Sequence, residues 1–367
     1  MTDSSSTARA YARARYRLLL IDLVVGWLFL AAFQWLGYSR GLAGTLARMT
    51  MSQFLIILGY LAVIGCVYYA VTFPLRFYGS YVLEHRFGLA RFSLAQWWVR
   101  EAKQLGLSAL LSLLLLEGFY ALLRHTPSWP VWATVGWVGF SLVMARVFPT
   151  LILPLFYNTA PLHDEALAKR LQALCQRIGL PVLGVFKVGL GAETRKANAA
   201  LVGLGGTRRI LLSDTLLAEF SPEEIEGVLA HEVAHHRYHH IAKLLVIATF
   251  GSWIVFTLTQ AAGGRWAGPL GLDGLSDIAG FPLLMLWFSI VGFTGLPLQN
   301  ALARHFEWQA DHFAVVTTSP GSFGLALRRL AQLNLADPSP PRWVVWLFYD
   351  HPPITQRIDA AERAVNA

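Results

Sequence analysis

A chain of 367 residues that is 55% hydrophobic and 14% charged, with a mean hydropathy of +0.47, has too little polar material to wrap a soluble domain of that size. It is expected to be an integral membrane protein. The net charge of +8 comes with no basic cluster interleaved with stacking aromatics, so nucleic acid is not an expected partner, and two cysteines, Cys66 and Cys175, fit neither a disulfide framework nor a Cys-held metal.

In chain order, the first apolar run is Tyr16–Leu36, long enough for the ~20 residues that cross a hydrocarbon core. It exceeds a signal-peptide core and lacks a small-residue cleavage site, so it is expected to stay as an anchor. Phe54–Phe73, Leu105–Leu123 and Trp129–Phe148 follow, then Ile241–Ala262 and Ile278–Gln299. Six crossings are expected. Arg9, Arg13, Arg15 and Arg17 stand at the start, two basic residues fill the next loop, five the one after, and Arg124 alone the third. Arg146 ends the fourth run, ten basic residues lie from Lys169 to Lys243, Arg265 is alone in the fifth loop, and six come from Arg304 onward. This alternation predicts both termini, and the stretch between Tyr157 and His240, on the cytoplasmic side, and the membrane expected is the cell inner membrane. Trp97, Trp98, Trp129, Trp343 and Trp346 fall near the expected boundaries, where tryptophan anchors a chain to the interface. Two acids lie inside runs. Asp22 is placed to snorkel towards Arg17, whereas Glu117 is deeper and either faces a polar cavity or packs as a protonated group.

Hydropathy falls from Asn158 to His240. Asp164–Ile178 reads as an amphipathic helix and Val182–Val188 as a strand ended by Gly189 and Gly191. Ala197–Val202 and Arg209–Leu212 read as a hairpin joined across residues 203–207. Such a sheet can accept a peptide as an added strand, or it is a structural layer only.

A helix follows with an unusually complete start signal: Ser221 as N-cap, Pro222 at the first helical position and Glu224 three residues after the cap. It carries His231-Glu232-Val-Ala-His235. Histidines at i and i+4 share one face and can reach one Zn²⁺ at about 2.0–2.1 Å, with Glu232 placed to handle the proton of a water there. The bland alternative is a histidine-rich helix without metal. His236 faces away, and His239 and His240 sit where the helix meets the membrane; none of them is an expected ligand.

The last two runs form a hairpin, and His235 lies six residues before it while Glu307 lies eight after it. That excursion returns Glu307 to the depth of the histidines and offers it as a third ligand. Asp311, one turn further, could accept a hydrogen bond from the distal nitrogen of a ligand imidazole. The alternative for both is an ordinary solvated acidic face. The division expected is a four-helix transmembrane region (1–157), a catalytic segment with the sheet and His231 helix (158–240), a transmembrane hairpin (241–300) and a third-ligand helix with the C-terminal region (301–367). The fold class is mainly α and polytopic, with a small α+β metallopeptidase segment on the cytoplasmic side.

The chain resembles the type I CAAX prenyl endopeptidases, integral-membrane zinc metallopeptidases. The resemblance is carried by Glu84-His-Arg-Phe-Gly-Leu89, Pro149-Thr-Leu-Ile-Leu-Pro-Leu-Phe156, Lys196-Ala-Asn-Ala-Ala-Leu-Val-Gly203 and Arg209-Ile-Leu-Leu-Ser-Asp-Thr-Leu216. It continues through His231-Glu-Val-Ala-His235, Glu307-Trp-Gln-Ala-Asp311 and His351-Pro-Pro353. It implies one Zn²⁺ held by His231, His235 and Glu307, Glu232 as general base, Asp311 in support, and His351 near the scissile carbonyl. It also implies a substrate-docking strand at Asn198, Ala199 and Ala200. The family's Asn-Ala-Tyr-Phe reads Asn198-Ala-Ala-Leu201 here, so contacts on that strand are expected to differ. The partners implied are the lipid bilayer and a peptide or protein substrate, prenylated or otherwise membrane-bound. A heat-shock-type quality-control protease is the nearest rival, disfavoured by four runs ahead of the catalytic segment. A non-hydrolytic zinc scaffold is the other, disfavoured by Glu232, since a structural site closes with four protein ligands.

Overall fold

The computed structural model describes residues 2–203 and 205–366; Leu204, in the expected hairpin link, lies outside them. The N-terminal part is built from α1 (Thr2–Trp35), α2 (Tyr38–Met49), α3 (Gln53–Arg86), α4 (Leu94–His125) and α5 (Trp129–Phe156). Among the described residues six helices are long and apolar enough to span a membrane, and each overlaps one of the expected runs. Most extend well beyond it. Helix ends follow caps rather than the hydrocarbon boundary: the Ser52 hydroxyl accepts from the Leu55 amide to start α3, and Ser93 with Gln96 forms a capping box at the head of α4. Apolar side chains such as Leu28, Leu110, Leu114, Trp132 and Phe250 stand exposed along the outside. Such faces suit lipid and would be a liability in water. Inside, Ile57, Tyr60, Ile64, Tyr120 and Phe281 form a packed cluster.

A four-stranded sheet follows: β1 (Thr159–Pro161), β2 (Val185–Val188), β3 (Ala199–Val202) and β4 (Arg209–Ser213), with α6 (Glu165–Arg177) between β1 and β2. Its order is β1-β2-β4-β3, so β3 is an edge strand. β3 runs antiparallel to β4 with Ala199 opposite Leu212, and β2 runs parallel to β4 with Val185 opposite Ile210. The expected hairpin is present. The expected strand from Val182 is shorter at its start, because Leu183 pairs irregularly, its amide donating to the Arg208 carbonyl at 2.8 Å. β1, three residues long, carries no periodicity that a sequence could reveal.

α7 (Asp214–Glu219) leads into α8 (Pro222–Arg237), which begins with the Ser221–Glu224 capping box and is buried along most of its length. Leu171, Leu174, Ile210, Leu212 and Leu229 make the core beside it. Gly227 is required by a close approach: a Cβ there would meet the backbone of Phe323 at 3.1–3.2 Å. Two residues past the end of α8 stands His239, whose φ of 55° is left-handed, and the chain restarts as α9 (His240–Ala267). α10 (Phe281–Thr317) is one unbroken helix through residue 300, so the span delivers Glu307 and Asp311 directly. α11 (Ser322–Leu333), α12 (Arg342–Phe348) and α13 (Ile354–Asn366) complete the chain.

A cavity of about 810 Å³ lies between the N-terminal helices and the segments around Glu193 and Tyr349, reaching Asp22, Glu84, Glu101, Lys196 and Tyr349. Its charges are largely paired: Lys196 meets Glu84 at 2.9 Å, Arg100 meets Glu193 at 2.9 Å, and Arg76 meets Glu101. Asp22 faces this cavity, while Glu117 is absent from its lining.

Candidate metal centre

The left-handed break at His239 folds the chain so that α9 starts against α8, and α10 returns alongside both. Three acceptor groups converge as a result. His231 Nε2 lies 3.3 Å from Glu307 Oε2, His235 Nε2 lies 3.2 Å from Glu307 Oε1, and the two Nε2 atoms are 3.3 Å apart. A proton shared between imidazole and carboxylate would draw such a pair to about 2.7–2.9 Å. Ligands placed tetrahedrally at 2.0–2.1 Å from an ion stand about 3.3 Å from one another. Each of the three separations has the second length, the two to Glu307 falling on its two carboxylate oxygens, and one donor atom from each residue lies within 4.8 Å of the others, so the residues present fit a small divalent cation. Glu307 is buried, and its Oε2 has no hydrogen-bond partner among the described residues. Burial alone would hold His231 neutral, but the neighbouring carboxylates of Asp311 and Glu307 outweigh it and raise its pKa to about 9. The pocket attracts positive charge.

The distal nitrogens explain the orientation. His231 Nδ1 is 2.9 Å from Asp311 Oδ1, a normal hydrogen bond that turns Nε2 towards Glu307. Asp311 is itself gripped at two points by the buried Arg357, Nε to Oδ2 at 2.8 Å and Nη2 to Oδ1 at 2.6 Å. Burial disfavours the Arg357 charge, yet Asp311 and Glu307 keep its pKa above the ordinary arginine value.

His235 is held differently. Its Nδ1 lies 3.1 Å from His240 Nδ1, and His240 Nε2 lies 3.0 Å from Gln309 Oε1. An amide oxygen only accepts, so His240 Nε2 donates to it. Neutral His240 then offers a lone pair at Nδ1, His235 donates from Nδ1, and His235 Nε2 is left bare towards Glu307. His240 is fully buried and stacks on Phe306 at 4.5 Å.

Glu232 follows His231 on α8, partly buried, with its charge felt by Arg357. His351 arrives on the loop after α12; its Nε2 is 3.4 Å from Glu307 Oε2 and its Nδ1 is 2.7 Å from Asp350. Burial opposes charging of His351, but Asp350 and Glu307 prevail and its pKa is raised. Asn198 is exposed at the head of β3, its carbonyl accepting from the Ser213 amide at 3.0 Å, and Ala199 and Ala200 are partly buried on β3 itself. His236 Nε2 donates to the Leu201 carbonyl at 3.0 Å, tying α8 to the same edge, and burial lowers its pKa. His231, His235, Glu307, Asp311 and His351 thus come together, while Asn198, Ala199 and Ala200 line the adjoining strand. Sequence reasoning missed Arg357, His240 and Gln309. The spacing of His240, five residues after His235, was a usable signal only if the helix break between them had been foreseen.

A polytopic helical fold that brings a carboxylate from α10 onto the two histidines of an H-E-x-x-H helix defines an integral-membrane metallopeptidase. Peptidase family M48 matches residues 161–365, more than half of the chain, and the chain belongs to that family. The CAAX prenyl protease N-terminal region, described as five membrane helices, matches residues 2–158, where α1–α5 lie and where α2 is too short to span. That match covers the half that separated this family from the heat-shock type. An uncharacterized metalloprotease of Bacillus subtilis, YhfN, is 26% identical over 99% of this chain and 86% of its own length. CAAX prenyl protease 1 of Saccharomyces cerevisiae is 25% identical, over 85% of this chain and 73% of its own. The fold is that of the crystal structure of S. mikatae Ste24p, with a TM-score of 0.87 at 22% identity, covering 98% of this chain and 89% of that one. The protein is a metalloendopeptidase.

Proposed function

We propose that the protein is a zinc-dependent endopeptidase that cuts membrane-bound substrates, prenylated C-terminal tails among them, at the cytoplasmic face of the cell inner membrane. The observation that carries this reading is the convergence of His231, His235 and Glu307 beside Glu232, with the imidazole nitrogens 3.2–3.3 Å from the Glu307 carboxylate and 3.3 Å from each other. The basic-residue alternation supports the orientation, with both termini inside. In this reading residues 1–157 form the membrane region, 158–240 the catalytic segment, 241–300 the hairpin, and 301–367 the part that returns the third ligand.

A zinc ion held by His231 Nε2, His235 Nε2 and Glu307 would supply a Lewis acid that makes water acidic enough to deprotonate near neutral pH. Asp311 and His240 fix the tautomers that leave both Nε2 atoms free for it. Glu232 takes the proton from water and returns it to the leaving amine. His351, with its raised pKa, is the donor for the carbonyl oxygen as charge develops there. The substrate lies along β3. Asn198 turns its carbonyl to β4, so by antiparallel alternation Ala200 does the same while the backbone groups of Ala199 and Leu201 point outward. The Leu201 carbonyl is taken by His236, which leaves the Ala199 amide and carbonyl for an added strand.

The test is cleavage of a prenylated CAAX peptide and its unprenylated twin by purified protein, with and without a chelator. Chelator-sensitive cleavage of the prenylated peptide alone is expected; equal cleavage of both replaces the lipid-tail reading with a broader peptidase. Glu232→Gln should keep zinc and lose turnover by ~10³-fold or more. Near-normal cleavage by the zinc-loaded variant would remove Glu232 from its role.

A further inference from the structure

The apolar run of α10 ends near Gln299, and Arg304 stands five residues further along the same helix. At about 1.5 Å per residue that is roughly 7–8 Å past the hydrocarbon edge, at the outer part of a head-group layer about 5–8 Å deep. α12 is tied to this level. Asn300 Nδ2 donates to the Leu347 carbonyl at 2.7 Å, and Arg304 Nη1 donates to the carbonyls of Val345 at 3.0 Å and Tyr349 at 2.6 Å. Trp343 and Trp346 project from α12 with 49% and 59% of their surfaces exposed. Tryptophans with this placement seat themselves at the interface.

Beside them is a cavity of about 440 Å³ lined by Arg304, Arg342, Trp346, Ser339 and Gln356 among others. No carboxylate belongs to its lining, and neither arginine has an ion-pair partner among the described residues. Asp337, on the same loop, is engaged elsewhere by the Tyr16 hydroxyl at 3.1 Å and the Ser339 amide at 3.0 Å. Two guanidinium groups without counter-charge, in a concave site at head-group depth, match a phosphate.

We propose that this cavity binds the phosphate of an anionic phospholipid head group between Arg304 and Arg342, with Trp343 and Trp346 seated in the surrounding lipid. A lipid suits the site better than free phosphate because the flanking tryptophans would otherwise face water. Through the Tyr349 carbonyl, Arg304 also joins this site to the loop that carries His351.

Native mass spectrometry of the full-length protein in non-ionic detergent tests the proposal, using phosphatidylglycerol, phosphatidylcholine with the same acyl chains, and glycerol 3-phosphate as competitor. Phosphatidylglycerol should be retained over phosphatidylcholine. Arg342→Gln should lower that retention roughly fivefold, Arg342→Glu should abolish the preference, and Arg363→Gln, on the exposed face of α13, should leave it intact. Arg342 is exposed, so the variants should melt like the parent. Equal retention of the two lipids, or unchanged preference in both Arg342 variants, overturns the proposal. Displacement of the lipid by glycerol 3-phosphate at equal concentration overturns it too, by making the site a free-phosphate site.

Discussion

The two histidines of the candidate centre are steadied by opposite kinds of neighbour. Behind His231 stands an ion pair, Asp311 gripped by the buried Arg357; behind His235 stands a neutral chain, His240 to Gln309. The charged support ties the ligand to fold stability, because a buried ion left without its partner costs about 3–5 kcal/mol. The neutral support only aims a ring. Damage on the two sides should therefore look different: one side melts the protein, the other loosens the metal.

Asp311→Asn should have the largest effect, lowering stability by about 3 kcal/mol as Arg357 loses its nearest counter-charge and keeps only Glu307 at 3.6 Å, and weakening metal binding by ~10–100-fold. Thermal unfolding and chelator competition read the two losses separately. An unchanged melting temperature would break the contrast. The double replacement Asp311→Leu with Arg357→Leu should recover much of the stability, since an apolar pair can stand in for a buried ion pair, without recovering metal affinity. Recovery of both would mean that the pair is structural only. On the other side, His240→Ala should weaken metal binding by ~10-fold. His240→Gln should restore most of it, because an amide can accept from His235 and donate to Gln309 as the imidazole does. If the Gln variant is no better than Ala, it is the stacking of His240 on Phe306 that matters. Gln309→Leu should be the mildest, a shift of about 2–3-fold in affinity, seen in the same competition assay.

What the sequence disclosed follows the range of each signal. Local rules located α8, since cap, proline and capping box lie within four residues, and the six spans, since lipid imposes length and composition. Glu307 was reachable because a membrane hairpin acts as a ruler: out and back by similar lengths returns the chain to one depth. Arg357 was not, and His351 only through the family resemblance, because they come from the loop and helix after α12, whose path no periodicity dictates. The support that His240 gives His235 was out of reach for another reason. Its contact with His235 depends on one left-handed residue, His239, and a non-glycine residue in that conformation is held there by tertiary contacts rather than by its own preference. Glu117 does not line the 810 Å³ cavity, which opens beside Asp22 and Glu101.

The central claim is that one metal ion sits between His231, His235 and Glu307. Anomalous diffraction at the zinc edge from crystals of the full-length protein, paired with metal analysis of Glu307→Gln, tests it most directly. The account predicts a single peak about 2.0–2.1 Å from both Nε2 atoms and a Glu307 oxygen, and loss of that metal in the variant. A peak elsewhere, or zinc retained by Glu307→Gln at the parent's affinity, would contradict it.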